Sequence, residues 1–189
     1  PEYMGISSSL PNLTIHIKGD NSRYGGIMGD SDMSTCTLTF TGDDGATLDI
    51  AGGDGPIGEF SEVTTNGTYL KSDEPLNWYN NGYWGVSSMT VTTKEVCYPI
   101  WVYNNNGYVQ VTGTNKDNVL GEQTDTKSVT YNDGTLTLNG ATINSGDNYA
   151  FVMGDNMTAL NVVLVGVNTV TGNGFQFTTS SPSLTFKTN

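Results

Sequence analysis

Tryptophan and tyrosine side chains next to asparagines are the residues of this sequence best suited to hold a ligand. The segment 76–86 reads LNWYNNGYWGV, and a second aromatic segment begins at Tyr98. Exposed aromatic rings stack on the apolar faces of sugar rings, and neighbouring amides supply the hydrogen bonds that orient the sugar. The pattern therefore predicts a carbohydrate-binding site. Its candidate residues are Trp78, Tyr79, Tyr83, Trp84, Tyr103 and Tyr108.

The same rings also suit a structural role. An aromatic cap over the end of a stack of strands buries a large apolar area with few residues. Trp101, within the strand-like run YPIWVY, fits that role better than a binding role. The sequence leaves both interpretations of the other aromatic residues open.

Acidic, glycine-rich loops form a second group of candidates. Ca²⁺ binds about six to eight oxygens from carboxylates, carbonyls and water. The loops GDSD at 29–32 and GDDG at 42–45 bring such oxygens together on flexible backbone, without matching a known calcium-loop motif. Calcium is therefore the candidate cofactor, and ordinary turns are the alternative. The candidate ligands are Asp30, Asp32, Asp43 and Asp44.

Catalysis has weaker support. A polysaccharide lyase needs a base beside a uronate carboxylate, and an inverting glycosidase needs two carboxyl groups about 6.5–9.5 Å apart. Arg23 is the one arginine, and Asp43, Asp44 and Asp54 are candidate acids that nothing beyond their charge distinguishes. We predict no catalytic residues and keep a lyase or glycoside hydrolase as an alternative.

A diverged internal repeat carries these residues. Segments 13–40 and 160–186 each hold three short alternating strands separated by Gly, Asn and Ser clusters, without a helical pattern between them. Such a unit cannot bury both faces alone, but stacked coils cover one another, so the repeat predicts a β-solenoid. The matching pairs are Leu13/Leu160, Ile15/Val162, Ile17/Leu164, Gly19/Gly166, Asn21/Asn168, Leu38/Leu184 and Phe40/Phe186.

Composition limits the partners of the chain. Only 14% of the 189 residues are charged, 24 are glycine, and no run of strong helix formers occurs, which is typical of turn-rich β proteins. The net charge of -12 repels nucleic acid and anionic membrane surfaces. No apolar run reaches the roughly 18 residues of a membrane span. We therefore expect neither nucleic acid as a partner nor insertion into a membrane.

Two features bear on the cellular compartment. The first residues, PEYMGISSSL, lack the basic start and apolar core of a signal peptide, so export would require a signal removed before residue 1. Cys36 and Cys97 show no metal-type spacing and are too few for a disulfide framework. Cys36 shares its strand parity with Leu38, which predicts a small buried apolar group, and one bridge between the cysteines remains open.

Two stretches resemble a known family. Residues 98–143, YPIWVYNNNGYVQVTGTNKDNVLGEQTDTKSVTYNDGTLTLNGATI, and residues 160–172, LNVVLVGVNTVTG, are similar to a module of secreted bacterial proteins from gut and soil anaerobes. Its relatives include carbohydrate-binding β-helix surface proteins that resemble pectate lyases in fold and bind polysaccharide and Ca²⁺, without established lyase activity. The resemblance implies a right-handed parallel β-helix. Residues 98–189 match the first half of the module, and residues 1–97 look like the rest of a preceding copy.

These observations together predict an all-β chain, a right-handed parallel β-helix with an irregular aromatic-rich insertion. The expected divisions are coils ending a first module at 1–59, the aromatic-rich segment at 60–115, and coils beginning a second module at 116–189. The expected function is a secreted or cell-surface, non-catalytic polysaccharide-binding module, with calcium as an aid. A structural or adhesive spacer of a larger surface protein is the alternative. Open coils at both ends also predict head-to-tail self-association.

Overall fold

The computed structural model describes residues 5–29, 36–53, 55–123, 125–155, 157–178 and 181–188, without the side chains of Arg23 and Tyr24. These residues form an all-β fold without helix, a β-solenoid of about 7 turns with parallel stacked strands. The predicted fold class is confirmed. The chain divides into two compact units, the first comprising Pro1–Ser72 and Leu76–Val96, the second Asp73–Pro75 and Cys97–Asn189.

Twelve strands build three sheets in the described part of the first unit. Sheet A has the order β1-β4-β7-β11-β10, sheet B the order β2-β5-β8, and sheet C the order β3-β6-β12-β9. The strands are β1 Ile6–Ser8, β2 Asn12–Ile17, β3 Asp20–Tyr24, β4 Ile27–Gly29, β5 Thr37–Gly42, β6 Thr47–Ala51, β7 Ile57–Gly58, β8 Glu62–Thr65, β9 Tyr69–Lys71, β10 Trp78–Tyr79, β11 Gly82–Tyr83 and β12 Ser88–Thr92.

Successive coils of the first unit stack in register. Strands β2, β5 and β8 pair in parallel, so that Leu13 lies beside Leu38 and Leu38 beside Val63. Alternate residues of a strand point to opposite faces, so each aliphatic side chain meets its equivalent in the next coil. Leu38 and Phe40 of the middle coil are 0% exposed. The predicted alternation therefore marks the interior correctly.

Antiparallel strands complete sheets A and C at the other end of this unit. Strand β12 pairs antiparallel with β6 and β9, and β11 pairs antiparallel with β7. Strands β10 and β11 form a hairpin whose loop residues Asn80 and Asn81 have φ of 46° and 60°. Asparagine tolerates positive φ better than most residues, and such two-residue turns match the strand twist. The sequence Asn80-Asn81-Gly82 therefore suits the hairpin turn that it forms.

The second unit contains eight strands in its described residues. Sheet D has the order β14-β13-β17-β19, and sheet E the order β15-β16-β18-β20. Strands β16, β18 and β20 pair in parallel, as do β17 and β19, whereas β13, β14 and β15 pair antiparallel. The strands are β13 Cys97–Tyr103, β14 Tyr108–Thr112, β15 Val129–Asn132, β16 Thr135–Asn139, β17 Thr142–Met153, β18 Ala159–Val165, β19 Thr169–Phe177 and β20 Ser183–Thr188.

The two copies of the internal repeat have equivalent backbone pairings. Leu160 lies beside Leu184 in β18 and β20, as Leu13 lies beside Leu38 in β2 and β5. The corners after β2 and β18 also agree. Gly19 and Gly166 have φ of 63° and 66°, a region in which a Cβ is costly.

The corner asparagines repeat one hydrogen-bond pattern. The Asn21 amide Nδ2 donates to the carbonyls of Lys18 and Gly19 at 2.9 and 3.1 Å. Asn168 Nδ2 donates to the carbonyls at 165 and 166 at 3.1 and 3.4 Å. Each amide ties its own turn together, and the carbonyls of Gly19 and Val165 also accept a backbone N–H from the neighbouring coil. The repeat predicted from sequence is therefore also a repeat of local structure.

Both cysteines are buried, and neither is part of a disulfide. Cys36 therefore has the role predicted for it, and no bridge joins it to Cys97. Among the described residues there is also no helix with the length and apolar character that crossing a membrane requires.

Equivalent phenylalanines at 40 and 186 should differ in their contribution to stability. Phe40 is 0% exposed and Phe186 is 54% exposed. We expect Phe40→Ala to lower the free energy of unfolding by about 3–5 kcal/mol, because it leaves a cavity. Phe186→Ala should cost less than about 1 kcal/mol. Urea unfolding measures the free energy of unfolding of each variant. Equal losses in the two variants would contradict the view that Phe40 is covered by a further coil and Phe186 is not.

Candidate functional site

The two faces of sheet A separate the predicted aromatic residues of the first unit. One face carries, in register, Ile27, Ile57, Tyr83 and Trp78. Ile27 and Ile57 are 0% exposed and Tyr83 is 6% exposed, so this face belongs to the core. The rings of Trp78 and Tyr83 meet edge to face with centroids 4.9 Å apart. Tyr83 thus has almost no surface for a ligand, and Trp78, half-buried, packs against it.

The opposite face of sheet A carries a row with two glycines at its centre. Met28 lies in register with Gly58, Gly58 with Gly82, and Gly82 with Tyr79. Tyr79 is 49% exposed and Met28 is half-buried. The two glycines leave a flat stretch of backbone between these larger side chains.

The indole of Trp84 lies on this glycine backbone. A Cβ built on Gly82 would be 2.7 Å from Cε2 and Nε1 of the ring, and a Cβ on Gly58 would be 2.5 Å from Cζ2. Because real Cβ atoms do not approach so closely, the ring requires glycine at both positions. Its Nε1 donates to the Asn80 carbonyl at 3.1 Å. Trp84 is half-buried in this position. We call Trp84, Tyr79 and Met28 over the two glycines the Trp84 platform.

The predicted tyrosines of the second unit form a separate group. Tyr103 and Tyr108 lie in register across the β13–β14 hairpin, with ring centroids 5.4 Å apart in an edge-to-face arrangement. Burial raises the pKa of Tyr108, partly opposed by a hydrogen bond from the Tyr149 backbone. Tyr149 is 37% exposed, and sequence reasoning does not select it, because its place depends on a register shift in β17 between Asn144 and Tyr149. Trp101 is 1% exposed, as predicted for a structural residue.

The acidic candidates at 43 and 44 are placed in different environments. Asp43 Oδ1 lies 2.9 Å from Nε2 of His16, which donates to it, and His16 Nδ1 lies 2.8 Å from the hydroxyl of Thr41. This contact links neighbouring coils of the first unit on their outer surface. Asp44 is exposed.

The predicted calcium site has no counterpart within the described ranges. No group of three or more His, Cys, Asp or Glu residues there could hold a metal ion. Asp30 and Asp32 lie outside the described residues, as do Asp54 and the side chain of Arg23. Calcium therefore remains a prediction, with Asp43 already held by His16.

No family model, no curated protein and no solved structure matches this chain. The resemblance to the carbohydrate-binding β-helix module therefore remains a prediction.

Sequence reasoning selected Trp84 and Tyr79 for their ring type, but it missed Met28, Gly58 and Gly82. Gly58 and Gly82 become neighbours only through the register between β7 and β11. These two strands belong to different coils and pair antiparallel, so their alignment cannot be read from spacing along the chain.

A single methyl group should displace the Trp84 ring. We expect Gly82→Ala to shift the Trp84 indole N–H signal in NMR spectra, assigned by its loss in Trp84→Phe, and to cost about 1–3 kcal/mol by overpacking. Gly53→Ala is the matched control, because a Cβ there meets no atom within 4 Å. An unmoved indole signal in Gly82→Ala would show that the ring does not lie on the glycines.

Proposed function

We propose that this chain is a non-catalytic polysaccharide-binding module whose Trp84 platform stacks against a sugar ring. The observation that carries the proposal is the indole packed against the backbone of Gly58 and Gly82, with its Nε1 donating to the Asn80 carbonyl. A ring fixed before binding loses little conformational entropy when a ligand arrives. The platform is therefore suited to stack against the apolar face of a sugar ring.

The side chains around the indole enlarge the surface that a sugar could contact. Tyr79, 49% exposed, stands at one side of the glycines, and Met28 stands at the other. Asn80 and Asn81, both exposed, occupy the hairpin turn next to Tyr79. Aromatic and thioether groups supply apolar contact, while amides and the tyrosine hydroxyl supply hydrogen bonds.

Charge narrows the class of polysaccharide. With 19 carboxylates against seven basic residues, the chain repels anionic polymers at neutral pH. A neutral glycan avoids this penalty, whereas a uronate polymer would need a bridging cation. The proposal therefore concerns neutral polysaccharides and requires no calcium. It extends to a secreted or cell-surface location, where such polymers occur.

A structural or adhesive spacer is the second candidate function. The stacking of parallel coils supports it, because such a fold grows by adding equivalent rungs rather than by enlarging one core. A spacer requires no ligand on the Trp84 platform. Measurements of glycan binding therefore distinguish the two functions.

Substitutions on the platform should weaken binding without unfolding the chain. We expect Trp84→Ala and Tyr79→Ala to lower affinity for a retained neutral polysaccharide about tenfold or more, equivalent to about 1.4 kcal/mol. Affinity gel electrophoresis with soluble glucan, xylan, mannan and anionic pectate measures this. Gly82→Ala should reproduce the loss with every aromatic side chain intact, whereas Gly53→Ala should bind as the unmodified chain does.

Two outcomes would contradict this proposal. One is retention on no neutral polysaccharide, which would favour the spacer. The other is full retention in Trp84→Ala together with loss in Tyr103→Ala, which would move the site to the tyrosines of the second unit.

A further inference from the structure

The last coil of the second unit leaves inward-facing residues exposed. Val162 is 0% exposed, but its register partner Phe186 is 54% exposed. Ile143 is 2% exposed, but its partner Val170 is 37% exposed. Strands β19 and β20 are the edges of sheets D and E in the described part of the chain. No described strand covers this end of the core, which we call the β20 end.

The first coil of the first unit shows the same asymmetry. Ile27 is 0% exposed, whereas its partner Ile6 is 36% exposed. Leu13 is half-buried, whereas its partner Leu38 is 0% exposed. Strands β1, β2 and β3 are edges of sheets A, B and C among the described strands. We call this surface the β2 end.

We propose that these two ends bind each other between copies of the chain, with β20 of one copy pairing in parallel with β2 of the next. Strand β2 reads NLTIHI and β20 reads SLTFKT, so their inward and outward positions alternate in phase. In register, Leu13 would cover Leu184 and Ile15 would cover Phe186. Edge strands with free backbone groups are ready templates for such pairing.

The internal repeat supplies a precedent for this pairing within the molecule. Strand β20 is the equivalent of β5, and β5 already carries the parallel strand β8 on its other side. In β5 and β8 the hydroxyls of Thr39 and Thr64 lie 2.9 Å apart. Thr185 of β20 and Thr14 of an incoming β2 occupy the corresponding outward positions. The proposed contact thus repeats one that the first unit contains.

A corner asparagine gives an independent indication at the β2 end. Asn168 Oδ1 accepts the Ala141 N–H of the preceding coil at 2.7 Å. Asn21 is its equivalent, yet within the described ranges no group donates to Asn21 Oδ1. Asn21 thus lacks the donor that a preceding coil gives Asn168, which agrees with an uncovered β2 end. At the β20 end the corner residue Val167 is 87% exposed.

The proposed contact joins unlike surfaces, so a pair of copies still has one unoccupied β20 end and one unoccupied β2 end. Such heterologous contacts continue to further copies, in an open chain or a closed ring. The Trp84 platform is not part of either end, because β10 lies at the edge of sheet A opposite β1. Self-association and glycan binding can therefore fail independently.

Sedimentation velocity and light scattering of the 189-residue chain test the proposal. As the protein concentration is raised about a hundredfold, we expect the mean molar mass to increase from 20.2 kDa to more than twice that value. The variants Phe186→Glu and Leu13→Glu should each stay monomeric over the same concentrations. Ile6→Glu provides a second variant at the β2 end, and thermal melting checks that every variant is folded. Tyr79→Ala is the control and should assemble as the unmodified chain does.

Mixing the two charged variants decides the direction of the contact. The Leu13→Glu copy keeps its β20 end, and the Phe186→Glu copy keeps its β2 end. A head-to-tail contact therefore predicts a 1:1 complex of twice 20.2 kDa that stops there. A monomeric unmodified chain at the highest concentration would overturn the proposal. So would dimers of Leu13→Glu alone, because they would require two β20 ends to meet.

Discussion

Parallel, in-register stacking of equivalent coils is the constraint on which this structure depends. Each coil is a thin ring of short strands, and its aliphatic residues gain cover only from the coils above and below. The gradient of exposure follows directly. Within the stacks Leu38, Leu136 and Val162 are all 0% exposed, whereas Phe186 in β20 is 54% exposed. Burial in this fold is thus a property of position in the stack more than of residue type.

The same constraint explains where a ligand surface can form. Inside the stack the inner faces of the sheets belong to the core, so a ligand there meets the outer faces, where successive coils place their residues in rows. In sheet A this row contains Met28, Gly58, Gly82 and Tyr79. The two glycines would be a weakness in most strands, but here they admit a tryptophan ring against the backbone. The antiparallel hairpin at 78–83 both extends the sheet and supplies Tyr79 to the row.

Sequence reasoning succeeded where the signal was local or periodic. The alternation of Leu13, Ile15 and Ile17 and the matching run at 160–164 each predicted the strands that are observed. It failed where the outcome depended on register between distant strands. The positions of Trp78 and Trp84 on opposite faces of sheet A illustrate this, because the two residues look alike in the sequence. The pairing of His16 with Asp43 across two coils had no signal in spacing either.

The central claim is that the two copies of the repeat form parallel rungs, and proton NMR contacts between strands test it most directly. Parallel in-register pairs give backbone N–H to Hα contacts between β2 and β5 and between β18 and β20, offset by one residue. We expect such contacts between Leu13 and the residues next to Leu38, and between Leu160 and the residues next to Leu184. Strong Hα to Hα contacts between facing residues of these strands, the mark of antiparallel pairing, would contradict the account.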